Sequence, residues 1–153
     1  MDRLFMAIAT GGGAGYLPKA PGTWGSLITI PLWLLLTRLD GMGYAIALGV
    51  VFVVGVISAG QAEKILDRKD PGVVVIDEIM GMLITLAGAP ANPLVIGIGF
   101  LLFRIFDIAK PWPVRFFDRR INGGTGIMLD DVAAGLYSLG CLQLILSVWP
   151  ELG

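Results

Sequence analysis

Five acidic residues stand where a carboxylate is costly. Asp77 and Glu78 lie between Ile76 and Ile79, Asp107 sits within FRIFDIAK, and Asp130-Asp131 are followed by VAAG. Ionisable groups inside apolar runs need either a partner or a function. The chain has no histidine and one cysteine, so an imidazole base and a thiolate metal cluster are both excluded. What remains is an all-oxygen donor set. Such a set suits Mg²⁺, with Mn²⁺ second, and disfavours zinc. Arg104 and Lys110 flank Asp107 by three residues on either side, and offer a planar fork and a point charge that suit phosphate. Lys19, Thr23 and Ser26, set among Pro and Gly, form a second candidate phosphate contact ahead of a helix N-terminus. It is not a P-loop, because GxxxxGK(S/T) does not occur.

Plainer roles exist for each group. Asp77-Glu78 and Asp130 suit helix N-termini, where acids gain from the dipole or cap the first turn. Arg104 and Asp107, three apart, suit a structural ion pair. Arg115, Arg119 and Arg120 with Trp112, Phe116 and Phe117 read as an interfacial belt, either for anionic headgroups or as a topological anchor. Cys141 lies in an apolar run and reads as a buried, unreactive thiol.

The elements that must position these residues are apolar. Hydrophobic residues make up 56% of the 153 and charged residues only 15%, with mean hydropathy +0.81, which points to lipid rather than water as the outer solvent. Five stretches read as helices: Leu27–Leu39, Tyr44–Gly60, Val73–Ala89, Leu94–Ile108 and Val132–Val148. The first carries Pro31 and is short enough to be re-entrant. Leu4 to Ala9 is too short for a secretory signal. On the Val73–Ala89 helix, Asp77, Glu78, Gly81 and Thr85 share one face, and Ala134, Gly135 and Ser138 continue the face of Asp131. The expected fold is all-α, a single domain over 1–153. It is a membrane bundle of about four to five apolar helices with a polar site at the cytoplasmic face. If all five helices cross, Lys19, Lys64, Arg68, Lys69, Lys110 and the three arginines at 115, 119 and 120 fall on the side of the N-terminus. Little beyond Arg38 lies opposite, which makes the N-terminal side cytoplasmic.

Four stretches, GYLPKAPGTWGS (Gly15 to Ser26), DEIMGMLI (Asp77 to Ile84), FRIFDIAKPWPVRFFD (Phe103 to Asp118) and GGTGIMLDDVAAG (Gly123 to Gly135), together resemble the phosphatidylglycerophosphatase A family of bacterial lipid phosphatases. They stand in that family's order and cover nearly the whole chain. The resemblance implies a Mg²⁺-dependent phosphatase of the bacterial inner membrane that converts phosphatidylglycerophosphate to phosphatidylglycerol and phosphate. In that reading Asp77, Glu78, Asp107, Asp130 and Asp131 gather the metal. Asp77, Asp107 and Asp131 take catalytic roles, and Lys19, Thr23, Ser26, Arg104 and Lys110 contact phosphate. Water is the first choice of nucleophile, with an aspartyl-phosphate as the open alternative. The partners expected are the lipid substrate and the bilayer; nucleic acid is not expected, and oligomeric state is not legible. Other phosphatase signatures, CxxxxxR and DxDx(T/V), do not occur. Two rival classes are a transporter or channel, which predicts acids spread through membrane depth, and a metal-dependent phosphatase with a water-borne substrate.

Overall fold

The protein was analysed as a computed structural model that describes residues 1–112 and 121–152; the expected belt residues Arg115, Phe116, Phe117, Arg119 and Arg120 lie outside them. The described residues form six α-helices and two short 3₁₀ turns, with no strand: α1 Asp2–Ala9, α2 Pro21–Leu36, α3 Gly41–Leu66, α4 Ile76–Thr85, α5 Pro93–Ala109 and α6 Gly123–Val148.

Local chemistry sets most of the boundaries. Pro21 and Pro93 occupy first-turn positions, where the missing N–H costs nothing. Asp40 caps α3 by accepting the Gly43 amide at 2.7 Å, and Asn92 caps α5 by accepting the Leu94 amide at 2.9 Å. The short α1, not expected from the sequence, ends as Gly11, Gly12 and Gly13 turn to positive φ. Its last carbonyl, on Ala9, accepts the Val75 amide at 2.8 Å. That bond pins the approach to α4 outside the helix, so Val73 to Val75 are not helical as the apolar run suggested.

Helix α4 is the hub. It packs against α2, α3, α5 and α6, and Ile79 to Thr85 are buried without a break. Yet it has only ten residues, about 15 Å of rise, half of what a bilayer core requires. The expected crossing over Val73–Ala89 is therefore a short internal helix. The opposite deviation occurs at α6, which begins at Gly123 rather than Val132. Four residues that read as a loop, Gly123-Gly124-Thr125-Gly126, are helical because Gly124 lies directly on the Val56 carbonyl and the Gly60 amide of α3. Tertiary contact overrides the low helix propensity of glycine there.

The core, with Trp33, Met82, Leu83, Leu86, Phe103, Met128 and Leu142 fully enclosed, surrounds α4. The outer faces are apolar too. Ile46, Val50, Val53 and Ile57 on α3, Leu101, Ile105 and Ile108 on α5, and Leu136 and Leu144 on α6 are exposed. Among the described residues two helices, α3 and α6, are long and apolar enough to cross a membrane, and only 17% and 33% of their most apolar windows are buried within the protein. Their apolar surface faces outward, the reverse of a soluble core helix.

Candidate active site

Helix α4 brings Asp77 and Glu78 in on its first turn, and α6 brings Asp131 two turns beyond its start. The expectation that Asp130-Asp131 open the last helix is corrected: Asn122 holds the N-cap position, and the two aspartates are interior. The two helices meet through glycine. A Cβ on Gly81 would strike the Phe103 ring and come within 2.8 Å of the Asp131 carbonyl, and one on Gly135 would lie 2.6 Å from the Gly81 carbonyl. Backbones this close place acids from different helices within one ligand shell.

One carboxylate oxygen from each of Asp77, Glu78 and Asp131 lies within 4.8 Å of the other two. Buried oxygens Oδ1 of Asp77, Oε2 of Glu78 and Oδ2 of Asp131 have no hydrogen-bond partner among the described residues. Three converging acids with orphaned, buried oxygens are stable only if protonated or bridged by a cation. Burial first, then the adjacent Glu78 charge, holds the Asp77 carboxyl well above its usual range. Burial and the neighbouring Asp131 push Glu78 up to about 8, partly opposed by Arg104. The donor set, hard oxygens without partners on three converging acids, is of the type that holds a hard divalent cation.

The other two expected ligands are engaged differently. Asp107 Oδ2 holds Arg104 Nη1 at 2.7 Å, and the same nitrogen stands 4.0 Å from Glu78 Oε1. Asp130 Oδ2 accepts from Lys110 Nζ at 2.7 Å, while its Oδ1 accepts the Asp131 amide at 3.0 Å. The plain ion pair considered for Arg104 and Asp107 is thus present, and it lies against the triad. Of the three cations expected to meet phosphate, Arg104 stands against the triad on Asp107 and Lys110 is tethered to Asp130, the neighbour of Asp131.

Of the residues expected to contact phosphate on the first loop, Lys19 is exposed at positive φ, Thr23 is half-buried in the first turn of α2, and the buried Ser26 hydroxyl donates to the Gly22 carbonyl at 2.9 Å. Gly22, which sequence reasoning passed over as loop punctuation, lies against the triad, and Gly25 packs beside it on Glu78. A Cβ on Gly22 would overlap the Glu78 carboxylate and lie 3.0 Å from Arg104 Nη1. Its only sequence signal was its place after Pro21, at a helix start. Asp70, also unremarked, bears electrostatically on Asp77 from the loop before α4.

The profile of the family described as phosphatidylglycerophosphatase A matches residues 7–146. A phosphatidylglycerophosphatase A of Escherichia coli K12 is 44% identical over 98% of this chain and 88% of its own. One of Haemophilus influenzae is 39% identical over 86% of this chain and 82% of its own. No solved structure matches. Glycine-tight helices that gather three acids beside two tethered cations occur here in a sequence that matches the family profile along most of its length, and the chain belongs to the phosphatidylglycerophosphatase A family.

Proposed function

We propose that the protein removes the terminal phosphate of phosphatidylglycerophosphate, giving phosphatidylglycerol and inorganic phosphate, in a Mg²⁺-dependent reaction at the cytoplasmic face of the bacterial inner membrane. The observation that carries this is the buried convergence of Asp77, Glu78 and Asp131 with an orphaned oxygen on each. The names of the relatives supply the substrate. Mg²⁺ held by these three carboxylates would neutralise phosphoryl oxygens and make the phosphorus more open to attack. Arg104 and Lys110 add positive charge where it develops in the transition state, and their pairing with Asp107 and Asp130 fixes their heads before substrate arrives. Asp107 and Asp130, the expected ligands outside the triad, are assigned the role of taking a proton from water. Exposed aromatic residues at this end, Tyr16, Trp24 and Trp112, suit an interface where rings sit among headgroups.

The reading is tested by phosphate release from phosphatidylglycerophosphate by purified protein in detergent, with Mg²⁺ and with EDTA. Turnover that survives complete chelation overturns the metal-dependent mechanism. Asp131→Asn is expected to lower kcat by at least about a hundredfold, in line with the loss of one electrostatic element of a site, with unchanged helicity by circular dichroism.

A further inference from the structure

Two adjoining hollows lie between the end of α3, the loop that follows it and the first turns of α6, and the inner one reaches Asp130, next to Asp131 of the triad. The inner one, about 440 Å³, is lined by Glu63, Lys69, Asp70, Gly123, Gly126 and Asp130 among others. The outer one, about 380 Å³, shares Glu63, Lys69 and Gly123 with it and adds Lys64, Asp67, Arg68 and Asn122. Asp130 adjoins Asp131 and holds Lys110, so the inner hollow ends on the flank of the catalytic acids. A molecule whose phosphate sits at the triad can extend into this space without entering the core.

Charge of both signs lines the path. Lys64, Asp67 and Arg68 stand in the outer hollow, where α3 finishes, and Lys69 and Glu63 line both hollows. Glu63 Oε1 accepts the Asp70 amide at 2.9 Å and so fixes the loop that carries Lys69. The opposite wall is the start of a 26-residue helix, whose first N–H groups and positive dipole end favour anions. A hollow lined by acids alone would repel an anionic lipid. One lined by cations alone would have no acceptor for a hydroxyl. Cation, carboxylate and helix start together match a glycerol unit that carries phosphate on both sides.

We infer that this double hollow is the subsite for the headgroup beyond the scissile phosphate, with Lys69 binding the internal phosphodiester and Glu63 accepting from the glycerol hydroxyl. The inference rests on the phosphatidylglycerophosphate reading and adds what selects that lipid from other phosphate monoesters. Lys69 is a specificity residue here, outside the group that handles the reacting phosphate.

The test is steady-state kinetics of the full chain in mixed micelles with two lipids, phosphatidylglycerophosphate and phosphatidate, which has a monoester but neither a second phosphate nor a headgroup glycerol. Lys69→Ala is expected to raise KM for the first about tenfold at unchanged kcat, the scale of one charge-assisted hydrogen bond, and to alter KM for the second less than about twofold. Lys69→Arg restores most of the loss, and Glu63→Gln acts in the same direction more weakly. Equal losses on both lipids, or an unchanged KM for phosphatidylglycerophosphate in Lys69→Ala, overturn the subsite. If the wild type ignores phosphatidate, the KM rise and its rescue by Arg decide alone. A wild type that releases no phosphate from phosphatidylglycerophosphate defeats the activity reading instead, before any variant is compared.

Discussion

Glu78 shows what a single residue must reconcile in this site: it is half-buried with one oxygen fully enclosed, beside Asp77 and Asp131, with the Arg104 guanidinium 4.0 Å away. Its proton is held up to about 8, against an ordinary value of 4.5, so the metal-free folded state binds a proton that the unfolded chain has lost. The sign follows from linkage: this contribution to stability is complete below about pH 4.5 and fades as pH rises through about 8. In EDTA the melting temperature in detergent is expected to fall from about pH 5 to about pH 9, and saturating Mg²⁺ to offset that fall by taking the proton's place. A melting temperature flat with pH in EDTA would remove the argument. Gly22 is the complementary case, a residue that acts by having no side chain. Gly22→Ala is expected to cut activity at least about tenfold through displacement of Glu78 and Arg104, with helicity retained, since small misplacements at a site are costly. Residue types limit the chemistry from the start: five acids with no histidine point to oxygen ligation. They did not tell which acids are free for a cation, because Arg104 stands three residues from Asp107 whether or not the two bond, and the Lys110–Asp130 pair joins residues twenty apart.

At the level of elements, α4 decides the architecture. A helix that stops within the bundle leaves carbonyls without partners, and in an apolar setting each must be satisfied. Three neighbouring segments do so. Trp33 Nε1 of α2 donates to the Leu86 carbonyl at 2.9 Å, Tyr44 Oη of α3 to Leu83 at 2.7 Å, and Gln143 Nε2 of α6 to Ala87 at 3.1 Å. Tyr44→Phe removes the donor to Leu83 and leaves most of the ring, and is expected to cost about 1–3 kcal/mol of stability, the price of an unsatisfied buried carbonyl; Trp33→Phe is expected to cost less, because the Leu86 carbonyl keeps the Ala89 amide at 3.1 Å. Denaturation in detergent micelles measures this; a neutral result for Tyr44→Phe would show that water reaches the Leu83 carbonyl. Gly81→Ala is expected to be worse than either, because its Cβ meets the Phe103 ring and the backbone of α6. The sequence displayed the apolar run but not its interruption. Hydropathy is blind to the Ala9–Val75 hydrogen bond that delays the start of α4, and to the contact with α3 that makes a glycine-rich stretch of α6 helical.

For the whole molecule, the clearest expectation concerns its solvent. With exposed leucine, isoleucine and valine on α2, α3, α5 and α6, the protein should sediment with membranes through a high-salt or carbonate wash and be released only by detergent. Release by salt alone would favour the water-borne alternative. Composition alone conveyed this outward apolar character, since it needs no knowledge of which helix is longest. A different consequence lies in the floor of the site. Beneath the acids, Met82, Leu83, Leu86, Phe103 and Leu142 are sealed, and the far end of α4 is closed by the bonds from Trp33, Tyr44 and Gln143. The acids therefore stand over a packed floor rather than along a polar channel. Phosphate release is accordingly expected to be indifferent to an imposed voltage, which turnover in voltage-clamped proteoliposomes checks.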